Sequence, residues 1–183
     1  RLKQNKYFKG IRPMIQDIED VDWILSPALT PVFDALIDLE LTFDALVLPK
    51  HLSNLQSLLT RHPNLKVVID HGAKPNIADA KGVEITHSLN KQWVQDIKAL
   101  SKHPNVYCKL SGLVTEAGEQ PVYADIEPYM SHLLECFGAK RLMWGSDWPV
   151  VNLSADYPSW VNHLETFLAE LSVDQQQAIW AET

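Results

Sequence analysis

Several short apolar runs in this sequence end in residues able to do acid–base and carbonyl chemistry. The last is Met143-Trp144-Gly145-Ser146-Asp147-Trp148-Pro149. An ionised carboxylate such as Asp147, held at a strand end, can take a proton from water, and the hydroxide formed can attack an ester or amide carbonyl. It can equally ligate a divalent metal that acidifies that water, or simply cap the turn that Pro149 closes. His71 ends Val67-Val68-Ile69-Asp70-His71-Gly72. Neutral imidazole ligates metal and the protonated ring polarises a carbonyl oxygen, while a core or turn histidine is the structural alternative. Asp70 is not paired with His71, because adjacent strand residues point to opposite faces. Arg12, in Gly10-Ile11-Arg12-Pro13, offers a planar fork to a carboxylate or hydroxyl-rich ligand, or forms an internal ion pair. Lys109, in Cys108-Lys109-Leu110-Ser111-Gly112, is a charge in an otherwise apolar run and needs a partner or a ligand. His51 (after Lys50), Trp148 and Tyr107 complete the candidates, and Lys74 reads as a loop anchor.

These side chains need a scaffold that gathers strand ends. Five runs read as buried parallel strands: Lys9 to Met14, Thr42 to Leu48, Lys66 to His71, Asn105 to Gly112 and Arg141 to Asp147. Helical stripes lie between and after them. Thr30-Pro31 reads as an N-cap and first turn, followed by Val32, Ala35, Leu36 and Leu39. Further stripes are Leu52, Leu55, Leu58 and Leu59; then Trp93, Ile97 and Leu100; then Ile126, Met130, Leu133, Leu134 and Phe137, stopped by Gly138; then Trp160, Val161, Leu164, Phe167 and Leu168. Ser172 with Gln175 reads as a capping box opening a last helix. Arg61-His62-Pro63-Asn64 and Lys102-His103-Pro104-Asn105 are two helix stops feeding strands, which puts His62 and His103 at the end opposite the chemistry. The alternation predicts an α/β fold, either an open doubly wound sheet or a barrel. No glycine-rich phosphate fingerprint follows any strand, which argues against dinucleotide binding.

Composition narrows the partners. A formal charge of −7 argues against nucleic acid, since phosphate binding needs a basic face. No apolar run reaches the roughly 18–20 residues of a membrane span. Two cysteines, Cys108 and Cys136, read as buried free thiols rather than a disulfide framework, which fits a reducing cytoplasm.

Taken together, Gly10 to Pro13, Phe43-Asp44-Ala45-Leu46-Val47, Val68 to Pro75, Val106 to Gly112 and Arg141 to Pro149 resemble the amidohydrolase-related family, in particular its sugar-lactone and 2-pyrone-4,6-dicarboxylate lactonase branch. The resemblance covers nearly the whole chain. It implies a partial TIM (β/α)₈ barrel of the metal-dependent-hydrolase type, with the five runs as strands four to eight, and residues 1–183 as a fragment truncated at both ends. It further implies that Asp147 is the eighth-strand aspartate that activates water. His71 would be the sixth-strand histidine that contacts the carbonyl or, in metal-dependent relatives, the metal. The family's first-strand His-x-His motif is not in this chain. One divalent ion, zinc or manganese, held by His71 and Asp147 with other ligands, is one implied cofactor state, and metal-independent hydrolysis is the other. The expected reaction is opening of a lactone by Asp-activated water, with Arg12, Lys109, His51 and Trp148 as substrate contacts. A metal-dependent decarboxylase and a non-catalytic binding protein are the rival readings, and a homo-oligomer stays open.

Overall fold

Each strand that forms is shorter than the apolar run that contains it. The computed structural model describes residues 4–183. Its strands are β1 (Gly10–Ile11), β2 (Thr42–Ala45), β3 (Lys66–Ile69), β4 (Val106–Leu110) and β5 (Leu142–Trp144). They pair in parallel in the order β1-β2-β3-β4-β5, with Phe43 beside Val67, Ile69 beside Cys108 and Leu110 beside Trp144. After β2, β3 and β4 the strand-end loops are themselves largely buried and continue the apolar run, so hydrophobicity alone overestimates strand length there. His71 and Asp147, expected inside strands, lie beyond them with φ of 54° and 53°.

Sequence-ordered parallel pairing puts every crossover on one face, and the helices cover that face. They are α1 (Thr30–Asp38), α2 (Leu52–Arg61), α3 (Lys91–Leu100), α4 (Leu113–Glu116), α5 (Tyr123–Phe137), α6 (Tyr157–Leu168) and α7 (Val173–Gln177). Phe43, Ala45, Val67, Ile69, Val106, Cys108, Leu110 and Leu142 point into the core shared with these helices. The expected stripes of α2, α3, α5 and α6 line it except for Val161, with Leu134 only half-buried and with Trp93 and Trp160 its largest fully buried side chains. In α1 the buried pair is Phe33 and Leu36, while Val32, Ala35 and Leu39 are exposed. Phe33 meets Phe43 edge-on, with centroids 5.4 Å apart, and that contact sets the face of the helix. Thr30 is already helical, and Leu29 precedes it without a side-chain cap. The Ser172–Gln175 capping box forms as expected.

At the amino-terminal end of the sheet, Arg141 donates to the carbonyls of Ser101, His103 and Val106 at 2.9–3.1 Å, tying α3, β4 and β5 together. His62 sits there too, 3.3 Å from Asp34. The chemistry-bearing residues lie at the opposite, carboxyl end.

Candidate active site

The site begins with three backbone departures at the carboxyl ends of β3, β4 and β5. After β3, His71, Gly72, Ala73 and Lys74 all take left-handed φ values, between 52° and 60°. Left-handed backbone disfavours L side chains by about 1–2 kcal/mol per residue, so the surroundings must hold this turn. The buried Trp93 indole does part of that by donating to the Gly72 carbonyl at 2.7 Å. Lys74 adds an ion pair to Glu116 at 3.4 Å. After β4, Gly112 has φ 67°, and a Cβ there would lie 2.8 Å from the His71 ring. After β5, Gly145 passes so close to Ser111 that a Cβ would lie 2.9 Å from its Cβ. Asp147 then turns left-handed, and the Trp160 indole donates to the Gly145 carbonyl at 2.9 Å.

These turns bring His71 and Asp147 together. His71 Nε2 lies 3.7 Å from Asp147 Oδ1, with both side chains largely buried. That spacing is too long for a direct hydrogen bond but lets one oxygen sit about 2.8 Å from both groups. The other ends are fixed: Ser111 Oγ lies 2.7 Å from His71 Nδ1, and Thr115 Oγ1 donates to Asp147 Oδ2 at 3.1 Å. Burial pushes the His71 pKa down against the opposing pull of Asp147, so the ring is held neutral. In the tautomer where Ser111 Oγ donates to Nδ1, the ring proton is on Nε2 and faces the gap.

A second network lies beside the first. Asp70 is fully buried and accepts Lys109 Nζ at 2.6 Å, and Lys109 also reaches Asp44 Oδ2 at 2.9 Å. Burial opposes the charge on Lys109, but its hydrogen bonds to Asp70 and Asp44 outweigh that and raise its pKa. Arg12 Nη1 approaches Asp70 at 3.7 Å, yet the Arg12 side chain is 51% exposed, so most of its fork is free. His71, Ser111 and Asp147 of the first network and Asp70, Lys109 and Arg12 of the second line one cleft of about 560 Å³, with Trp148 at the rim.

The structure thus gathers Asp147, His71, Arg12, Lys109 and Trp148. Lys109 is held by two carboxylates and forms the cleft wall. His51 is not gathered: it is fully buried, and its Nδ1 accepts the Leu48 amide at 3.0 Å, closing the turn between β2 and α2. Its placement after a strand looked the same as that of a cleft residue, but the short Pro49–His51 turn folds it inward. Tyr107 does not line the cleft either. Asp70 and His71 make separate contacts but line the same cleft, because the left-handed turn at His71 overrides the strand parity that predicts opposite faces. Thr115 and Asp44 were missed, since neither ends an apolar run. Among the described residues no group of three or more His, Cys, Asp or Glu side chains is arranged to hold a metal ion. His71 and Asp147 supply two donors, short of the three protein ligands of a catalytic zinc. Cys108 and Cys136 are free, and no helix among the described residues is long and apolar enough to cross a membrane.

Known proteins resemble this chain in sequence and fold. The amidohydrolase family matches residues 1–183. The L-fucono-1,5-lactonase of Burkholderia ambifaria is 47% identical over 163 residues, covering 87% of this chain and 53% of the relative. The 2-pyrone-4,6-dicarboxylate hydrolase of Comamonas testosteroni is 32% identical over 124 residues, 63% of this chain and 36% of the relative. A Burkholderia multivorans amidohydrolase, solved with bound zinc, superimposes with a TM-score of 0.87 at 32% identity, covering 98% of this chain and 63% of that chain. The chain spans about half the length of the curated relative it matches at 47% identity. The sheet and its helices are a portion of a TIM barrel. With the match running along all of its residues, the chain belongs to the amidohydrolase family.

Proposed function

We propose that the protein carrying this chain hydrolyses a neutral sugar lactone, with Asp147 activating the water. The carrying observation is the 3.7 Å gap between Asp147 Oδ1 and His71 Nε2, which faces the cleft. A water in that gap gives its proton to Asp147 as its oxygen bonds to the lactone carbonyl carbon. The carbonyl oxygen gains charge, and the His71 Nε2–H donates to it. The tetrahedral species then collapses, the ring C–O bond breaks, and the departing alkoxide recovers the proton from Asp147. The product is an open hydroxy acid, and the enzyme is restored.

Charge favours a neutral substrate over a dicarboxylate. In the cleft, Lys109 lies between Asp44 and Asp70, and Lys74 is paired with Glu116. Arg12 shares Asp70. Every cation lining the cleft therefore already faces a carboxylate, leaving the exposed part of the Arg12 fork for hydroxyl oxygens. Trp148, 66% exposed at the rim, offers an apolar face for the C–H side of a sugar ring. The curated relative at 47% identity, named an L-fucono-1,5-lactonase, supports the same class. The two free thiols fit a reducing compartment such as the cytoplasm.

The test is a comparison of kcat/KM for deoxysugar lactones and for 2-pyrone-4,6-dicarboxylate, using the complete gene product. A preference of at least about tenfold for the neutral lactone, worth about 1.4 kcal/mol, supports the reading. Preference for the dicarboxylate overturns it.

A further inference from the structure

Four contacts converge on the segment between β4 and α5. Ser111 Oγ meets His71 Nδ1 at 2.7 Å, and Thr115 Oγ1 donates to Asp147 Oδ2 at 3.1 Å. Glu116 pairs with Lys74 at 3.4 Å, and the Thr115 carbonyl accepts Ser154 Oγ at 3.4 Å. Residues 111–116 thereby touch the left-handed turn that carries His71 and both the aspartate and the loop that follow β5. His71 and Asp147 have no direct hydrogen bond with each other. Their separation is therefore set by the crosspiece between them.

We infer that Thr115 is a positioning residue for Asp147, holding Oδ2 so that Oδ1 alone faces the water and His71; this rests on the lactonase reading above. A carboxylate free to rotate about its terminal torsion, which is broad and roughly two-fold, would present either oxygen and lose the aim of its lone pairs. The threonine hydroxyl removes that freedom without adding charge to the site. Ser111 does the same for the imidazole by holding the ring at Nδ1, 2.7 Å from its hydroxyl. The segment 111–116, which ends in the single turn of α4, thus aligns the two reacting groups delivered by different strands.

Thr115→Val keeps the shape and deletes the donor, while Thr115→Ser keeps the donor. In the complete gene product, Thr115→Val is expected to lower kcat on the preferred lactone about 10–100-fold, the usual penalty of a small misalignment, with KM changed less than about threefold. Thr115→Ser is expected to restore kcat to within about threefold of the parent. Ser111→Ala is expected to follow Thr115→Val. Melting temperatures measured alongside exclude unfolding. Thr115→Val at parental kcat overturns the assignment. So does a loss that the serine variant fails to restore, or one that falls on KM alone. A parent that opens no lactone refutes the lactonase reading instead, and the two failures are thereby distinct.

Discussion

Asp147 and His71 reach one cleft by the same local device, a left-handed residue just past a strand end. In a regular strand His71 would alternate with Asp70 and face the helices. Its φ of 54° swings the ring back over the carboxyl edge, against Ser111 and opposite Asp147. Gly112 makes room for that ring. Gly112→Ala places a methyl group where His71 now lies and strains a backbone at φ 67°. It should cost about 1–2 kcal/mol of stability and at least about tenfold in turnover, read by melting and by initial rates. A fully active Gly112→Ala enzyme would mean that the ring position is unimportant. That Asp147, His71 and Arg12 are candidates for one site was legible in the sequence, because unusual side chains interrupt apolar runs there, and all three line one cleft. Their mutual geometry was not, since left-handed φ at His71, Ala73, Lys74 and Asp147 contradicts the preference of those residue types.

Among the elements, the turn after β3 depends on α3. The Trp93 indole fills the core and donates to the Gly72 carbonyl. Trp93→Phe keeps most of the aromatic volume and leaves that buried carbonyl unpaired, so about 1–3 kcal/mol of stability should be lost in chemical denaturation. An unchanged midpoint would show that the turn holds itself. The helix stripes were readable because α2, α3, α5 and α6 bury nearly all the residues their 3.6-residue period selects, Leu134 and Val161 at the stripe edges being half-buried. In α1 the stripe is rotated by a single aromatic contact, Phe33 on Phe43, which no periodicity encodes. His51 shows the same limit: a short turn decides whether a strand-end residue faces the cleft or the core.

For the molecule as a whole, buried titratable groups set the pH response. Burial is the largest cause lowering the pKa values of His51, His71 and His132 below the ordinary 6.5. The unfolded chain therefore binds more protons than the folded one just below pH 6.5. Stability should be fully present above pH 6.5 and fall as pH drops through the depressed values, by about 1.4 kcal/mol for each pKa unit of depression. Lys109 runs the other way. Its pKa is raised, so its contribution is complete below 10.5 and lost as pH climbs through the folded value. Melting temperature measured from pH 5 to 11 should trace a plateau with both flanks. A profile flat below pH 6.5 would contradict the neutral, buried imidazoles. The sheet itself pairs β1 and β5 on one side only among the described residues. Residues 1–183 expressed alone should therefore associate through these edges. A monodisperse, cooperatively melting sample in light scattering and calorimetry would contradict that.

The most direct test is lactone hydrolysis by the complete gene product, followed by proton release in a pH-indicator assay, with Asp147→Asn beside it. The amide keeps the shape and the Thr115 contact but cannot take a proton from water. Turnover by the parent and a fall of about 10²–10⁴-fold in the variant, at unchanged circular dichroism, is the predicted result. Equal activity of the two proteins would make Asp147 structural and contradict the mechanism.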